Sequence, residues 1–137
     1  MRRFIFVLIV ILLINFIPIR ASACNGKEPV PVKMHATAYC IHGTTASGKK
    51  TRHGLAAARR DLIGKTALVY QRLPGDVIGD LIGIYEVEDT GGTDGLKNGT
   101  VIDIWCADED ECQLFMNRVY EDECHGKVFV FFVDAVG

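Results

Sequence analysis

The stretch Tyr85 to Asp103, YEVEDTGGTDGLKNGTVID, predicts a strand, a glycine-rich loop and a return strand. The residues on both sides of the loop are mostly β-branched or aromatic, which is typical of a pleated and half-buried surface. The loop contains Gly91, Gly92, Gly95 and Gly99, and glycine permits positive φ and a close approach of other groups to the backbone. We therefore predict an irregular loop that leaves room for a carbohydrate-sized ligand.

Asp89 and Asp103 are the candidate catalytic residues of this stretch. Asp89 is predicted at the end of the first strand, and the return strand would bring the carboxylate of Asp103 beside it across the ladder. Two carboxylates at one cleft suit general acid/base chemistry. Asp followed by Thr-Gly-Gly is also ordinary turn chemistry, in which the aspartate bonds its own backbone. The pattern alone favours the turn, so the catalytic interpretation depends on further residues.

The first 23 residues have the pattern of a secretory signal peptide. Arg2 and Arg3 precede an apolar run from Phe4 to Ile19, and the segment Ala21 to Ala23 supplies an A-x-A cleavage site. The run is shorter than the roughly 20 residues that span a bilayer, so an uncleaved membrane anchor is the second choice. We therefore expect an exported protein.

Cleavage after Ala23 would leave 114 of the 137 residues, which is enough for one hydrophobic core and too few for two domains. The remaining chain keeps 12 of the 15 basic residues and all 17 acidic ones, a formal charge of −5. This balance does not suggest nucleic acid as a partner. We expect a monomer that contacts a membrane only if the N-terminal segment is retained.

Residues 24–31 read as a short extended linker, and one domain is expected over residues 32–137. Strand patterns occupy residues 32–39, 55–58, 66–72, 81–88, 101–105 and 127–136. One helix is predicted after Asp108, because Glu111 follows this cap residue by three positions and an apolar stripe recurs at helical spacing. The stripe, which should pack against the core, consists of Cys112, Phe115, Met116 and Val119. Six strands and one helix indicate a small closed or sandwiched all-β architecture.

The sequence resembles the signature of the 3D, or three-aspartate, domain. The matching residues are DTGG at 89–92, then Lys97 and Gly99, then IDIW at 102–105, and the resemblance covers most of residues 36–105. This domain is shared by the catalytic barrel of the membrane-bound lytic murein transglycosylase A type and by secreted stationary-phase muralytic proteins. The resemblance implies a six-stranded double-psi β-barrel and a peptidoglycan lytic transglycosylase that is secreted to the cell wall.

The resemblance also implies roles for individual residues. Asp89 would act as general acid and then as general base on the bond between N-acetylmuramic acid and N-acetylglucosamine, giving 1,6-anhydro ends, with Asp103 in support. Negative charges at Glu86, Glu88, Asp94 and Asp103 would favour the protonated form of Asp89 if they face the same cleft. The expected substrate-binding residues are Thr44, Thr45, Ser47, Thr90, Gly91, Gly92 and Lys97. No cofactor is expected.

The sequence departs from the family pattern at the first of the three aspartates. Arg59 stands where that aspartate is expected, and Asp61 lies two residues later. The sequence leaves open whether the first carboxylate is dispensable or is supplied by Asp61. An arginine here favours a second interpretation, a non-catalytic wall-binding barrel of the expansin-like type, which holds glycan without cutting it. A basic patch, which is consistent with the carboxylates of peptidoglycan, consists of Lys49, Lys50, Arg52, His53, Arg59 and Arg60.

Five cysteines in an exported chain predict disulfide bonds rather than catalysis. Cys24 lies outside the expected barrel, and the other four allow three pairings. The resemblance to 3D domains implies a bond between Cys40 and Cys112, which leaves Cys106 to pair with Cys124. The sequence has no zinc-binding spacing of cysteine and histidine, so no metal site is predicted.

Overall fold

The computed structural model describes residues 28–120 and 123–135 of the chain. The strands are β1 (Val32–Tyr39), β2 (Leu55–Ala57), β3 (Lys65–Leu73), β4 (Val77–Asp89), β5 (Val101–Trp105) and β6 (Lys127–Asp134). The helices are a 3₁₀ helix (Arg60–Leu62), α1 (Asp94–Asn98) and α2 (Glu109–Tyr120). No helix within these described ranges is both long and apolar enough to cross a membrane. The predicted signal peptide, residues 1–23, and Cys24 lie outside the described residues.

The six strands close into a barrel in the order β1-β5-β2-β4-β3-β6. β1 pairs with β5 and β2 pairs with β4 in parallel, whereas the other four neighbouring pairs are antiparallel. The all-β class and the closed six-stranded barrel predicted from the sequence are confirmed. The interleaved strand order, with its two parallel pairs, agrees with the double-psi form of such a barrel.

The barrel interior is filled by small and β-branched side chains. In β1, Met34 and Ala36 are buried while Lys33 and His35 are exposed, which is the alternation expected of a strand with one inner face. A barrel of about eight strands is just wide enough for side chains to fill it, so six strands leave no central channel. The core consists of Met34, Ala36, Ala56, Ala58, Ala67, Val69, Ile82, Val87, Ile102, Ile104, Val119, Val128 and Val130. A ligand must therefore bind at an end or on the outside of the barrel.

β4 differs most in extent from its sequence pattern, and β6 differs in burial. β4 begins at Val77 rather than at Leu81, because residues 77–81 continue the antiparallel pairing with β3. β6 was predicted to be buried on both faces throughout. It is so only at Val128, Phe129 and Val130, beyond which the side chains are half-buried or exposed.

The predicted C-terminal helix is confirmed as α2, and it begins as the sequence indicates. The backbone N–H of Glu111 donates to the Asp108 carboxylate at 2.9 Å, and the Glu111 carboxylate accepts the N–H of Ala107 at 2.9 Å. Along the apolar stripe, Val119 belongs to the buried core and Phe115 packs against it. The stripe is therefore core packing, as predicted.

The loop between β4 and β5 is more regular than the sequence suggested, because it contains α1. Gly99 ends this helix with a left-handed φ of 71°, where glycine carries no steric penalty. Leu96 is 5% exposed and packs closely on Gly91, where an added Cβ would lie 2.4 Å from the Leu96 Cδ1. The glycine-rich segment thus folds back so that Gly91 lies against the buried side chain of Leu96.

Candidate active site

Asp89 and Asp103 lie together in a cleft of about 250 Å³ at one end of the barrel. Three strands end here, with Tyr39 of β1, Ala57 of β2 and Asp89 of β4 all lining the cleft. The rest of the wall comes from residues 41–51 and from residues 90–96. The cleft is therefore built from strand ends and from the two loops that the sequence singled out.

The two carboxylates are brought together through β2 rather than across a shared ladder. Ala57 pairs with Asp89 of β4 on one side and with Asp103 of β5 on the other. The prediction that the two aspartate strands are direct neighbours is therefore wrong, because β2 lies between them. The register of β2 against β4 shifts between Ala56 and Ala57. Such bulges re-aim side chains next to functional sites.

The carboxylate of Asp89 accepts three hydrogen bonds that fix its orientation. Its Oδ1 accepts the backbone N–H groups of Thr90 at 2.9 Å and Ala46 at 3.0 Å, and its Oδ2 accepts the Tyr39 hydroxyl at 3.2 Å. Burial first, and then the charge of Asp89, raises the pKa of Tyr39. Tyr39 therefore remains a hydrogen-bond donor at neutral pH. Asp89 does bond its own backbone, as considered for the sequence, but at the next residue, Thr90, and its carboxylate still lines the cleft.

Asp103 is held more deeply, in the middle of β5. Its Oδ1 accepts the Thr37 hydroxyl at 2.8 Å from the paired strand β1. Burial and, to a smaller extent, the nearby charge of Asp89 raise the pKa of Asp103, although the Thr37 hydrogen bond opposes this shift. The cleft thus contains one carboxyl group that retains its proton to higher pH than an exposed aspartate.

Of the four acidic residues expected around Asp89, Asp103 alone lines its cleft. Glu88 is 3% exposed and forms ion pairs with Lys49 and Arg52, and Arg52 also binds Glu86. Hydrogen bonds from Arg52 lower the pKa of Glu88 to about 2, with Lys49 contributing. Alternation along β4 explains why Glu88 does not share the cleft with Asp89, because successive side chains point to opposite faces of the strand.

The hydroxyl-rich loop contributes one of its three predicted binding residues directly to the cleft. Thr44 lines the cleft, whereas Thr45 is buried and its hydroxyl bonds the carbonyl of Lys49 and the Ser47 hydroxyl. The backbone N–H of Ser47 donates to the carbonyl of Glu88 at 2.9 Å. In the structure Thr45 and Ser47 therefore shape the loop and attach it to β4, and their contact with substrate stays a prediction.

The other predicted binding residues lie on the opposite side of Asp89. Thr90 and Gly91 line the cleft, and together with Gly92 and Lys97 they also line an adjoining groove of about 540 Å³. The structure therefore brings all four of these residues to the candidate site. We call the second space the basic groove; its lining residues are Arg59, Arg60, Thr90, Gly91, Gly92 and Lys97.

The sequence left open whether Asp61 supplies the carboxylate that the resemblance implies at position 59, and the structure shows where Asp61 lies. The guanidinium of Arg59 binds the carboxylate of Asp61 through Nε at 2.5 Å and Nη2 at 2.8 Å, and both side chains are largely exposed. Asp61 lines neither the carboxylate cleft nor the basic groove. Asp61 therefore brings no carboxylate to this cleft, which is lined by the two aspartates Asp89 and Asp103.

Sequence reasoning missed Thr37, Tyr39 and Ala57 as parts of the site. Tyr39 and Thr37 lie on the outward-alternating face of β1, and a polar aromatic residue directly before a hydroxyl-rich loop is a signal that could have suggested a role. Ala57 could not be found from sequence, since its importance comes from its place between β4 and β5.

The predicted disulfide bonds are not formed. No disulfide is present among the cysteines that the structure describes, so the pairs Cys40 with Cys112 and Cys106 with Cys124 are corrected. Cys40 and Cys106 follow the paired ends of β1 and β5, and Cys112 in the first turn of α2 is close enough to both thiols for them to affect its pKa. Cys106 therefore faces Cys112, because the β1/β5 register and the start of α2 bring these thiols to one place.

These thiols should react slowly in the folded protein. Burial raises the pKa of Cys112 to about 12 and also raises the pKa of Cys106, so both are protonated at neutral pH, and the thiolate is the nucleophile. We expect iodoacetamide at pH 8 to label both residues only after denaturation, as read by peptide mass spectrometry of native and urea-treated samples. A Cys40 to Cys112 bond in protein purified without reductant would instead restore the pairing predicted from the sequence.

The fold and site define a small closed β-barrel with a pair of carboxyl groups in a cleft at one end and cations beside it. Within the described ranges, no group of three or more histidine, cysteine, aspartate or glutamate side chains is arranged to hold a metal ion. Comparisons with protein-family models, with curated proteins and with solved structures each found no match.

Proposed function

We propose that this protein is a peptidoglycan lytic transglycosylase that cleaves between N-acetylmuramic acid and N-acetylglucosamine. The observation that carries the proposal is the placement of Asp89 and Asp103 on either side of Ala57 in one open cleft. The resemblance of residues 89–92 and 102–105 to the 3D domain supports the same activity. The leader-like N-terminal sequence supports export to the cell wall, where the glycan strands are.

The proposed reaction uses Asp89 twice. Protonated Asp89 donates its proton to the glycosidic oxygen as the bond from that oxygen to the anomeric carbon breaks. The 6-hydroxyl of the muramyl sugar then bonds to the anomeric carbon, and the Asp89 carboxylate takes the hydroxyl proton. One residue returns to its starting state, and no water is consumed.

Several contacts support these roles. The three hydrogen bonds donated to Asp89 hold its carboxylate in place, which suits the step in which it accepts the hydroxyl proton. The raised pKa of Asp103 favours its protonated form relative to an exposed aspartate, and two carboxyl groups in different environments are typical of acid/base sites. Thr44 and Thr90 place hydroxyl groups on the wall of the cleft, where they can bond sugar hydroxyls.

One observation favours the alternative, a non-catalytic barrel that holds glycan without cutting it. Arg59 occupies the position of the first family aspartate and is bonded to Asp61. The cleft therefore has fewer carboxylates than the resemblance implies. An intramolecular route tolerates this loss better than hydrolysis does, because the substrate supplies its own nucleophile and a second carboxylate is not needed to activate water.

The released sugar distinguishes these possibilities. We expect purified walls digested in heavy-oxygen water to give 1,6-anhydro-muramyl ends without the heavy isotope, because the attacking oxygen belongs to the substrate. Mass spectrometry of the released muropeptides measures this directly, and zymography on walls gives a first test of activity. Heavy oxygen at new reducing ends would replace the proposal with hydrolysis, and binding to walls without any release would establish the non-catalytic barrel.

A further inference from the structure

The basic groove continues directly from the carboxylate cleft. Thr90 and Gly91 line both spaces, so the groove adjoins the cleft and a chain-like ligand seated over Asp89 reaches the groove across these two residues. The groove is the larger of the two, at about 540 Å³ compared with about 250 Å³. An added Cβ on Gly92 would meet nothing within 4 Å, so this wall of the groove is open.

The basic patch seen in the sequence divides into two parts in the structure. Lys49 and Arg52 are bound by Glu88, and the histidine beside them, His53, is bound by Glu111. These residues serve to hold the loop and α2. Lys50 donates to the hydroxyl of Thr44 at 3.3 Å. The charges of Lys49 and Arg52 are therefore paired within the protein, whereas Lys50 bonds only the neutral hydroxyl of Thr44.

The second part, at the groove, keeps cations available. Arg60 and Lys97 are exposed, and neither forms an ion pair in the part of the chain that the structure describes. Arg59 donates from Nε and Nη2 to the carboxylate of Asp61. Its Nη1 lies near Gly99 at the end of α1. The groove is thus lined by three cations, one of which is paired with Asp61 outside it, and this gives the groove a positive charge beside two aspartates.

We infer that the basic groove is a subsite for the free carboxylate on the lactyl group of the muramyl sugar. This inference rests on the proposed function and names its substrate as anionic glycan rather than a neutral one. A ligand that spans both spaces must present neutral sugar groups to the aspartates and an anion to Arg60 and Lys97. The arginine at position 59 then contributes to substrate choice, although it replaces a family carboxylate.

The test measures binding without cleavage, in the Asp89→Asn background. The probes are peptide-free glycan strands with free lactyl carboxylates, the same strands after carbodiimide amidation, and neutral chitooligosaccharide of similar length. Removing the two available cations by Arg60→Gln with Lys97→Gln should weaken binding of the carboxylate strands about tenfold, the size of one hydrogen bond to a charged group. Binding of the amidated strands and of chitooligosaccharide should not change.

A matched control removes the same two charge types elsewhere. Arg118→Gln with Lys127→Gln alters exposed residues of α2 and β6 that line neither space, and it should leave all affinities unchanged. Added acetate should compete with the carboxylate strands.

Two results overturn the inference: an equal loss for neutral and anionic strands, or an unchanged affinity for the carboxylate strands. Circular dichroism of each variant shows whether a loss of binding comes from misfolding. If the double variant misfolds, the same binding measurements are made with Lys97→Gln alone. The failure of the proposed function has a different signature. The parent protein would then release no anhydro sugar while the difference between charged and neutral strands remained.

Discussion

Asp89→Asn is expected to reduce the release of muropeptides by at least about 100-fold, the lower range for the loss of general acid/base catalysis. The amide keeps the shape of the carboxylate, and its oxygen can still accept the backbone N–H groups of Thr90 and Ala46. It cannot donate and then recover a proton in the required way. The fold should therefore survive while the rate falls, measured as initial release from purified walls.

Asp94→Asn is the matched control for this variant. Asp94 lies five residues further along, in the first turn of α1, and does not line the cleft. The same chemical change there should leave the rate of release close to that of the parent protein. A folded Asp89→Asn protein with near-normal turnover would contradict the assignment of the general acid/base.

Asp103→Asn should separate activity from stability. The folded-state pKa of Asp103 is raised by burial, so its carboxyl group favours folding below the unfolded pKa, and this contribution is lost as the pH rises through the folded pKa. The ionised side chain therefore opposes folding, so the stability of the asparagine variant relative to the parent protein should increase as the pH rises. We expect this gain to vanish in acid, and activity to fall less than in Asp89→Asn.

The sequence predicts the local structure of single strands and helices better than it predicts which strands pair. The period-2 alternation of β1 and the cap of α2 depend on residues a few positions apart, and both are confirmed. The position of β2 between β4 and β5 depends on the barrel closing in a non-sequential order. A three-residue strand such as Leu55–Ala57 carries no signal for its partners, so the pairing of Asp89 with Ala57 could not be inferred.

The candidate site also has features that the sequence predicted and features that it could not predict. A cleft with Asp89, Thr44 and Thr90 on its walls was anticipated, because loop residues and strand-end residues were each visible in the sequence. The sequence could not show which cations were already paired. The sequence alone does not distinguish Lys49 from Lys97. In the structure, the charge of Lys49 is paired with the buried carboxylate of Glu88.

Glu88→Gln is expected to destabilise the fold by about 1–2 kcal/mol at neutral pH. The pKa of Glu88 is about 2 against an ordinary 4.5, and one pKa unit corresponds to roughly 1.4 kcal/mol. Its partners Lys49 and Arg52 are largely exposed, so solvent screening reduces the total. The loop that carries Ala46 should loosen as well, because Lys49 attaches this loop to β4 through Glu88.

The pH dependence of this variant gives the sharper test. The folded pKa of Glu88 is lowered, so its stabilisation is fully present above pH 4.5 and is lost as the pH falls through about 2. Urea unfolding should therefore show a large difference between parent and variant at pH 7 and little difference at pH 2. Asp134→Asn, which breaks an exposed ion pair with Lys65, should barely move the midpoint at either pH. A difference for Glu88→Gln that persists unchanged at pH 2 would mean that the side chain stabilises the loop by packing and not by its charge.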